Sequence, residues 1–150
     1  MTGDVLRMLV AVDLDQSGEA VLAEAVRYAR KLDAVVDLLH VAPPEPSDFV
    51  SYSPGPESVR DSVAKHLREV HSAVAKLREK LEQSGITVGC ALTVQGDVFN
   101  AITEELQRLK PDLLVMGQGH HHRLFQSLAR SPAQKVVAEA KCVMMIIPTA

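Results

Sequence analysis

The sequence predicts an α/β fold: a single doubly wound domain over residues 1–150, with a five-stranded parallel sheet and helices on both faces. Three observations carry that expectation. Five short apolar runs alternate with four stretches of helical periodicity, the pattern of strands joined by right-handed helical crossovers. Most of those runs are apolar at nearly every position, as in strands covered on both faces. The chain is 47% hydrophobic but only 3% aromatic and has no Trp, so its core must be built from Val, Leu, Ala, Ile and Met. At 150 residues it has the size of one domain, able to bury roughly 68–70% of its unfolded surface. No internal repeat or linker divides it.

Residues 5–12 form the first apolar run, stopped by Asp13. After a turn at 15–18, Val21, Leu22, Ala25, Val26, Ala29 and Leu32 recur at steps that place them on one stripe of a helix. Residues 35–41 read as a second buried strand. The next segment carries Pro43, Pro44, Pro46, Pro54 and Pro56, which suit neither a helix interior nor a ladder. It is a long loop, and long loops in compact domains are often functional. From Val59, the positions Val63, Leu67, Val70, Val74, Leu77 and Leu81 keep helical spacing until Gly85 ends the longest helix. Ile86, Val88, Cys90, Leu92 and Val94 then alternate with Thr87, Gly89, Ala91 and Thr93, the signature of a strand with one less buried face. Such a strand belongs at a sheet edge. Asp97 caps a helix marked by Val98, Ile102, Leu106 and Leu109, which Pro111 stops before the buried run 113–116. A loop opens at Gly117. Pro132 begins a short helix with Val136, Val137 and Ala140, and residues 142–147 close the chain as an apolar strand.

A net charge of −3 offers no field that would gather nucleic acid or anionic lipid, and no basic stripe is interleaved with aromatics. Nucleic acid and membrane are therefore set aside as partners. The first apolar run is too short to span a bilayer and is wrongly flanked for a signal peptide. Cys90 and Cys142 fall inside apolar runs, form neither a disulfide nor a metal pattern, and are expected to act as small hydrophobes. Such cysteine usage suits a cytoplasmic protein.

In a doubly wound sheet, ligands sit beyond the carboxyl ends of the strands, where the strand order reverses. That directs attention to Asp13, Val41, Gly96 and Gly117. The segments Leu9-Val-Ala-Val-Asp13, Leu38-Leu-His-Val41, Gly96-Asp97 with Ile102, Asp112-Leu-Leu-Val-Met-Gly117, and Ser131 followed by Ala133-Gln-Lys-Val136 together resemble the universal stress protein family over essentially the whole chain. The resemblance implies the strand order 3-2-1-4-5, dimerisation and, in one branch of the family, ATP or AMP bound between strands one and four. In that branch it implies that Asp13 faces the nucleoside, that the Val41 backbone faces the adenine, and that the phosphates lie on the loop after Met116.

The phosphate loop of that branch is spelled Gly-x-x-Gly, nine residues, then Gly-Ser or Gly-Thr. Glycines let backbone N–H groups approach phosphate oxygens, and the hydroxyl adds a donor. Gly117 and Ser131 fit the pattern, while His120 and Arg130 stand where the second and third glycines belong and Gly119 lies one position early. Side chains at those positions fill space that the phosphates would need, which argues against tight ATP binding. On the other side, Arg123, Arg130, His120, His121 and His122 form a cationic cluster able to hold phosphate by charge.

Simpler roles stand beside these. Asp13 serves equally as a turn cap, and Ser131, just before Pro132, as the cap of the last helix. Three adjacent histidines cannot converge on one ion, so no metal is expected. His66 and His71, five apart on the long helix, are surface residues. Asp13-Leu-Asp15-Gln-Ser17 is similar to the nucleophile motif of haloacid-dehalogenase phosphatases, whose chemistry also needs an acidic pair for Mg²⁺ after a later strand. Gln118 and its neighbours supply no carboxylate there, and no catalytic residue is assigned.

In the order 3-2-1-4-5 the last strand is the second edge, and residues 142–147 carry no charge to blunt it. An edge of that kind invites pairing, so an isologous homodimer through Cys142 to Ile147 is expected. The function expected is that of a universal stress protein-like module acting through binding and protein contacts of its 42–57 and 117–130 loops, without tight ATP binding. The alternative is an adenine-nucleotide sensor or slow ATP hydrolase.

Overall fold

The computed structural model describes residues 3–42, 56–118, 136 and 139–149. Its elements run β1 (Arg7–Ala11), α1 (Gln16–Leu32), β2 (Val35–Ala42), α2 (Pro56–Gln83), β3 (Val88–Gln95), α3 (Val98–Leu109), β4 (Leu113–Gly117) and β5 (Val143–Ile147). The strands form one parallel sheet in the order β3-β2-β1-β4-β5, as the sequence led one to expect. Most of the proline-rich loop lies outside the described residues. Of the expected last helix, Val136, Glu139 and Ala140 are described: the first two are helical, and Ala140, whose N–H donates to the Val136 carbonyl at 2.7 Å, is not assigned to the helix.

Local chemistry sets the helix ends. The Asp15 carboxylate accepts the Gly18 N–H at 3.0 Å and starts α1, and Asp97 does the same for α3 through the Asn100 N–H at 3.0 Å. α2 ends where Gly85, at φ +83°, and Ile86 turn their N–H groups back onto the Glu82 and Leu81 carbonyls. This doubly bonded left-handed stop is what glycine makes cheap.

Two apolar clusters sandwich the sheet. Met8, Val10, Val36, Leu38, Leu113 and Val115 face α1 and α2; Leu9, Leu39, Val41, Leu114 and Met116 face α3 and Val136. Alternate residues of each central strand thus serve opposite cores, which is why those strands read as unbroken apolar runs. α2 is 28 residues long, about 42 Å, and among its described side chains Val70, Val74 and Leu81 are buried. Among the described residues no helix is long and apolar enough to cross a membrane.

β3 departs from its expected strict alternation. Ile86 is buried ahead of the strand, and the pairing with β2 slips from Val36↔Val88 to Leu38↔Ala91. One extra residue in β3 reverses the parity, so Val88 packs with one core while Leu92 and Val94 pack with the other. The slip is occupied by Asp37, which is fully buried. Its carboxylate accepts the Cys90 N–H at 2.9 Å and a forked bond from the Arg7 guanidinium at 2.8 and 3.0 Å. Cys90 is therefore more than a small hydrophobe. Its thiol donates to Asp37 at 3.3 Å, and burial together with that carboxylate pushes it up to about 11.

Candidate functional site

β1 and β4 lie side by side, paired from Met8↔Leu113 to Val10↔Val115. Beyond β1 the sheet continues to β2 and β3, and beyond β4 it continues to β5. The carboxyl ends of β1 and β4 therefore flank the point where the strand order reverses, the place where doubly wound sheets form their ligand crevice.

Each wall of the crevice is set by a local constraint. Asp13 stands exposed one residue past Val12, where the first turn of α1 comes back against it. A Cβ at Gly18 would collide with the Asp13 carbonyl, so glycine is what allows the helix to start this close. Val41 is buried in the α3-side core, which leaves its backbone, not its side chain, to face a ligand. Met116 is buried in the same core and pairs with Ile146. Gly117 follows; a Cβ there would lie 3.1 Å from Val21 and 3.2 Å from Thr149. Packing of α1 and the chain end thus already demands a small residue at Gly117, with no positive φ involved. The Gln118 N–H donates to the Ile147 carbonyl at 3.0 Å and carries the β4–β5 ladder one step further.

The structure accordingly brings Asp13, Val41, Met116 and Gly117 together at the carboxyl end of the sheet. Gly119, His120, Arg130 and Ser131 lie outside the described residues. Gly117 and Gln118 bring no carboxylate toward Asp13 and Asp15, so the described part of the crevice lacks the acidic pair of the phosphatase motif. Two residues here escaped the sequence reading. Gly18 was visible as a glycine three positions after the Asp15 cap. His40 was visible as the one ionisable residue near the end of an apolar run; its Nδ1 lies 2.9 Å from the Val12 carbonyl, and since a carbonyl only accepts, Nδ1 carries the hydrogen.

A model of the universal stress protein family matches residues 5–148. The chain belongs to that family. Universal stress protein A of Escherichia coli strain K12 is 27% identical over 146 residues, covering 94% of this chain and 92% of that protein. Among solved structures, the universal stress protein of Lactobacillus plantarum superposes with a TM-score of 0.72 at 18% identity, covering 97% of this chain and 99% of that one. A universal stress protein family member of Arabidopsis thaliana with AMP bound gives 0.67 at 20% identity, covering 97% and 92%. The universal stress protein of Archaeoglobus fulgidus in complex with dAMP gives 0.62 at 19% identity, covering 95% and 97%. At these identities the likeness to the solved universal stress proteins is one of fold.

Proposed function

We propose that this universal stress protein is a non-catalytic binding module of the cytoplasm that takes an adenine nucleotide by its nucleoside, favours AMP over ATP, and works as a homodimer through protein contacts. The observation that carries the reading is the exposed Asp13 at the strand switch, held beside a helix start that Gly18 tightens. An acceptor at that place suits ribose hydroxyls, and the backbone end of β2 at Val41 suits a base edge. The disfavour toward a triphosphate follows from the sequence of the phosphate loop, where His120 and Arg130 stand in place of glycines whose backbone N–H groups would otherwise approach the phosphates. Relatives of the same fold solved with AMP and dAMP support the choice of ligand. Two free cysteines fit a reducing compartment.

The homodimer is argued from β5. It is an outer strand with the sequence VMMII, and Val143 is 68% exposed; pairing with a second copy would cover that edge.

Titration calorimetry on the nucleotide-stripped protein tests the ligand. AMP is expected to bind, ATP to bind no more tightly, and Asp13→Ala to weaken AMP by about tenfold or more. Silence of the folded protein toward millimolar AMP and ATP sinks the nucleotide reading and leaves the protein contacts as the function. ATP bound far more tightly than AMP would overturn the argument from His120 and Arg130.

A further inference from the structure

His40 is only 7% exposed, and it stands between the two proposed adenosine contacts, Asp13 and Val41. The backbone pattern around it is specific. The Val35 N–H donates to the Leu6 carbonyl, the Val36 N–H to Thr87, and the Ala42 carbonyl accepts from Gly96. Odd residues of β2 thus address β1 and even residues address β3. The β1–β2 register ends at Ala11↔Leu39, where the Val12 N–H donates to the Leu39 carbonyl at 2.9 Å. The next step of a parallel ladder would run from the Val41 N–H to the Val12 carbonyl. That carbonyl accepts from the His40 imidazole at 2.9 Å.

We propose that His40 is a positioning residue for ligand recognition: its ring occupies the Val12 carbonyl, stops the β1–β2 ladder one bond short, and leaves the Val41 N–H turned toward the crevice for a ring-nitrogen acceptor of a purine. The proposal rests on the nucleotide reading above and gives its adenine half a cause. A buried imidazole N–H needs an acceptor, and the nearest one belongs to the residue that joins β1 to Asp13. One hydrogen bond therefore ties the Asp13 turn to β2 and opens the neighbouring amide of β2.

The test uses the full chain, amide exchange read by NMR, and AMP as the probe. In the free wild-type protein the Val41 amide is expected to exchange about tenfold or more faster than that of Leu39, whose neighbours are paired. His40→Leu keeps the bulk and removes the donor. The Val41 N–H then closes on the Val12 carbonyl, its exchange slows about tenfold, and AMP binds about tenfold more weakly. His40→Asn presents an amide N–H to the same carbonyl and restores both readings toward wild type. A protected Val41 amide in the wild-type protein overturns the proposal, and that measurement decides even if the leucine variant does not fold. So does a His40→Leu protein that binds AMP as wild type does. An open Val41 amide that closes in His40→Leu, in a protein that ignores AMP, upholds the role of His40 and places the failure in the choice of ligand.

Discussion

Asp37 sits where a strand between two apolar cores should carry Val or Leu, and it is tolerated because the Arg7 guanidinium and the N–H and S–H of Cys90 converge on it. A buried carboxylate without partners is very costly; here the Arg7 fork and the Cys90 N–H both reach it. Gly89 makes the room, since a Cβ there would collide with the Asp37 carboxylate. Gly89→Ala is therefore expected to cost about 2–4 kcal/mol, because the clash meets a pinned charge and not a flexible side-chain end. Urea unfolding measures this, and a loss below about 1 kcal/mol would mean that the clip yields. The Cys90 thiol supplies a pH signature. Its folded value near 11 lies above the ordinary 9.0, so the fold favours the protonated thiol. That contribution is whole below pH 9.0 and fades as pH climbs toward 11. In a Cys142→Ala protein, labelling of Cys90 by a thiol reagent should be slow at neutral pH and accelerate about tenfold per pH unit up to that range. A rate that levels off near pH 9.0 would refute the raised value.

Strands and helices were legible wherever a single periodicity held along a segment. The runs leading to β1, β2, β4 and β5, the Asp97 cap of α3 and the glycine stop of α2 all appear in the structure within a few residues of where the sequence places them. β3 was not legible in the same way. Its apolar alternation is real in the sequence, but the extra residue opposite Asp37 shifts the parity midway, and a slip that depends on a partner strand leaves no period to read. The candidate site divides likewise. Asp13 and Gly117 stand at positions marked by strand ends and motif spacing. Gly18 and His40 act through contacts with Asp13 and Val12, segments that spacing does not connect to them. At the outer strand β5 the proposed dimer makes a direct prediction. Val143→Lys places a charge on an exposed edge position, which should turn a dimer into a monomer in analytical ultracentrifugation. Because Val143 is 68% exposed, the unfolding free energy of the monomer itself should change by only about 0.5 kcal/mol. A wild-type protein that sediments as a monomer at all concentrations would end the dimer proposal.

At the scale of the molecule, the two cores share every central strand. Met8 and Val10 serve one cluster while Leu9, between them, serves the other, so neither face can melt alone without baring the back of the same strands. Ile102, fully buried beneath α3, offers the test. Ile102→Ala should lower stability by about 2–5 kcal/mol, while far-UV circular dichroism and urea titration still report one transition. Two separated transitions would show that the α3 face unfolds on its own. The Asp37 clip lies toward the amino ends of the strands, at the opposite end of the sheet from the crevice. Replacements among the carboxyl-end loops therefore leave the polar anchor of the sheet untouched. A chain built this way can change what its carboxyl-end loops recognise and keep its fold.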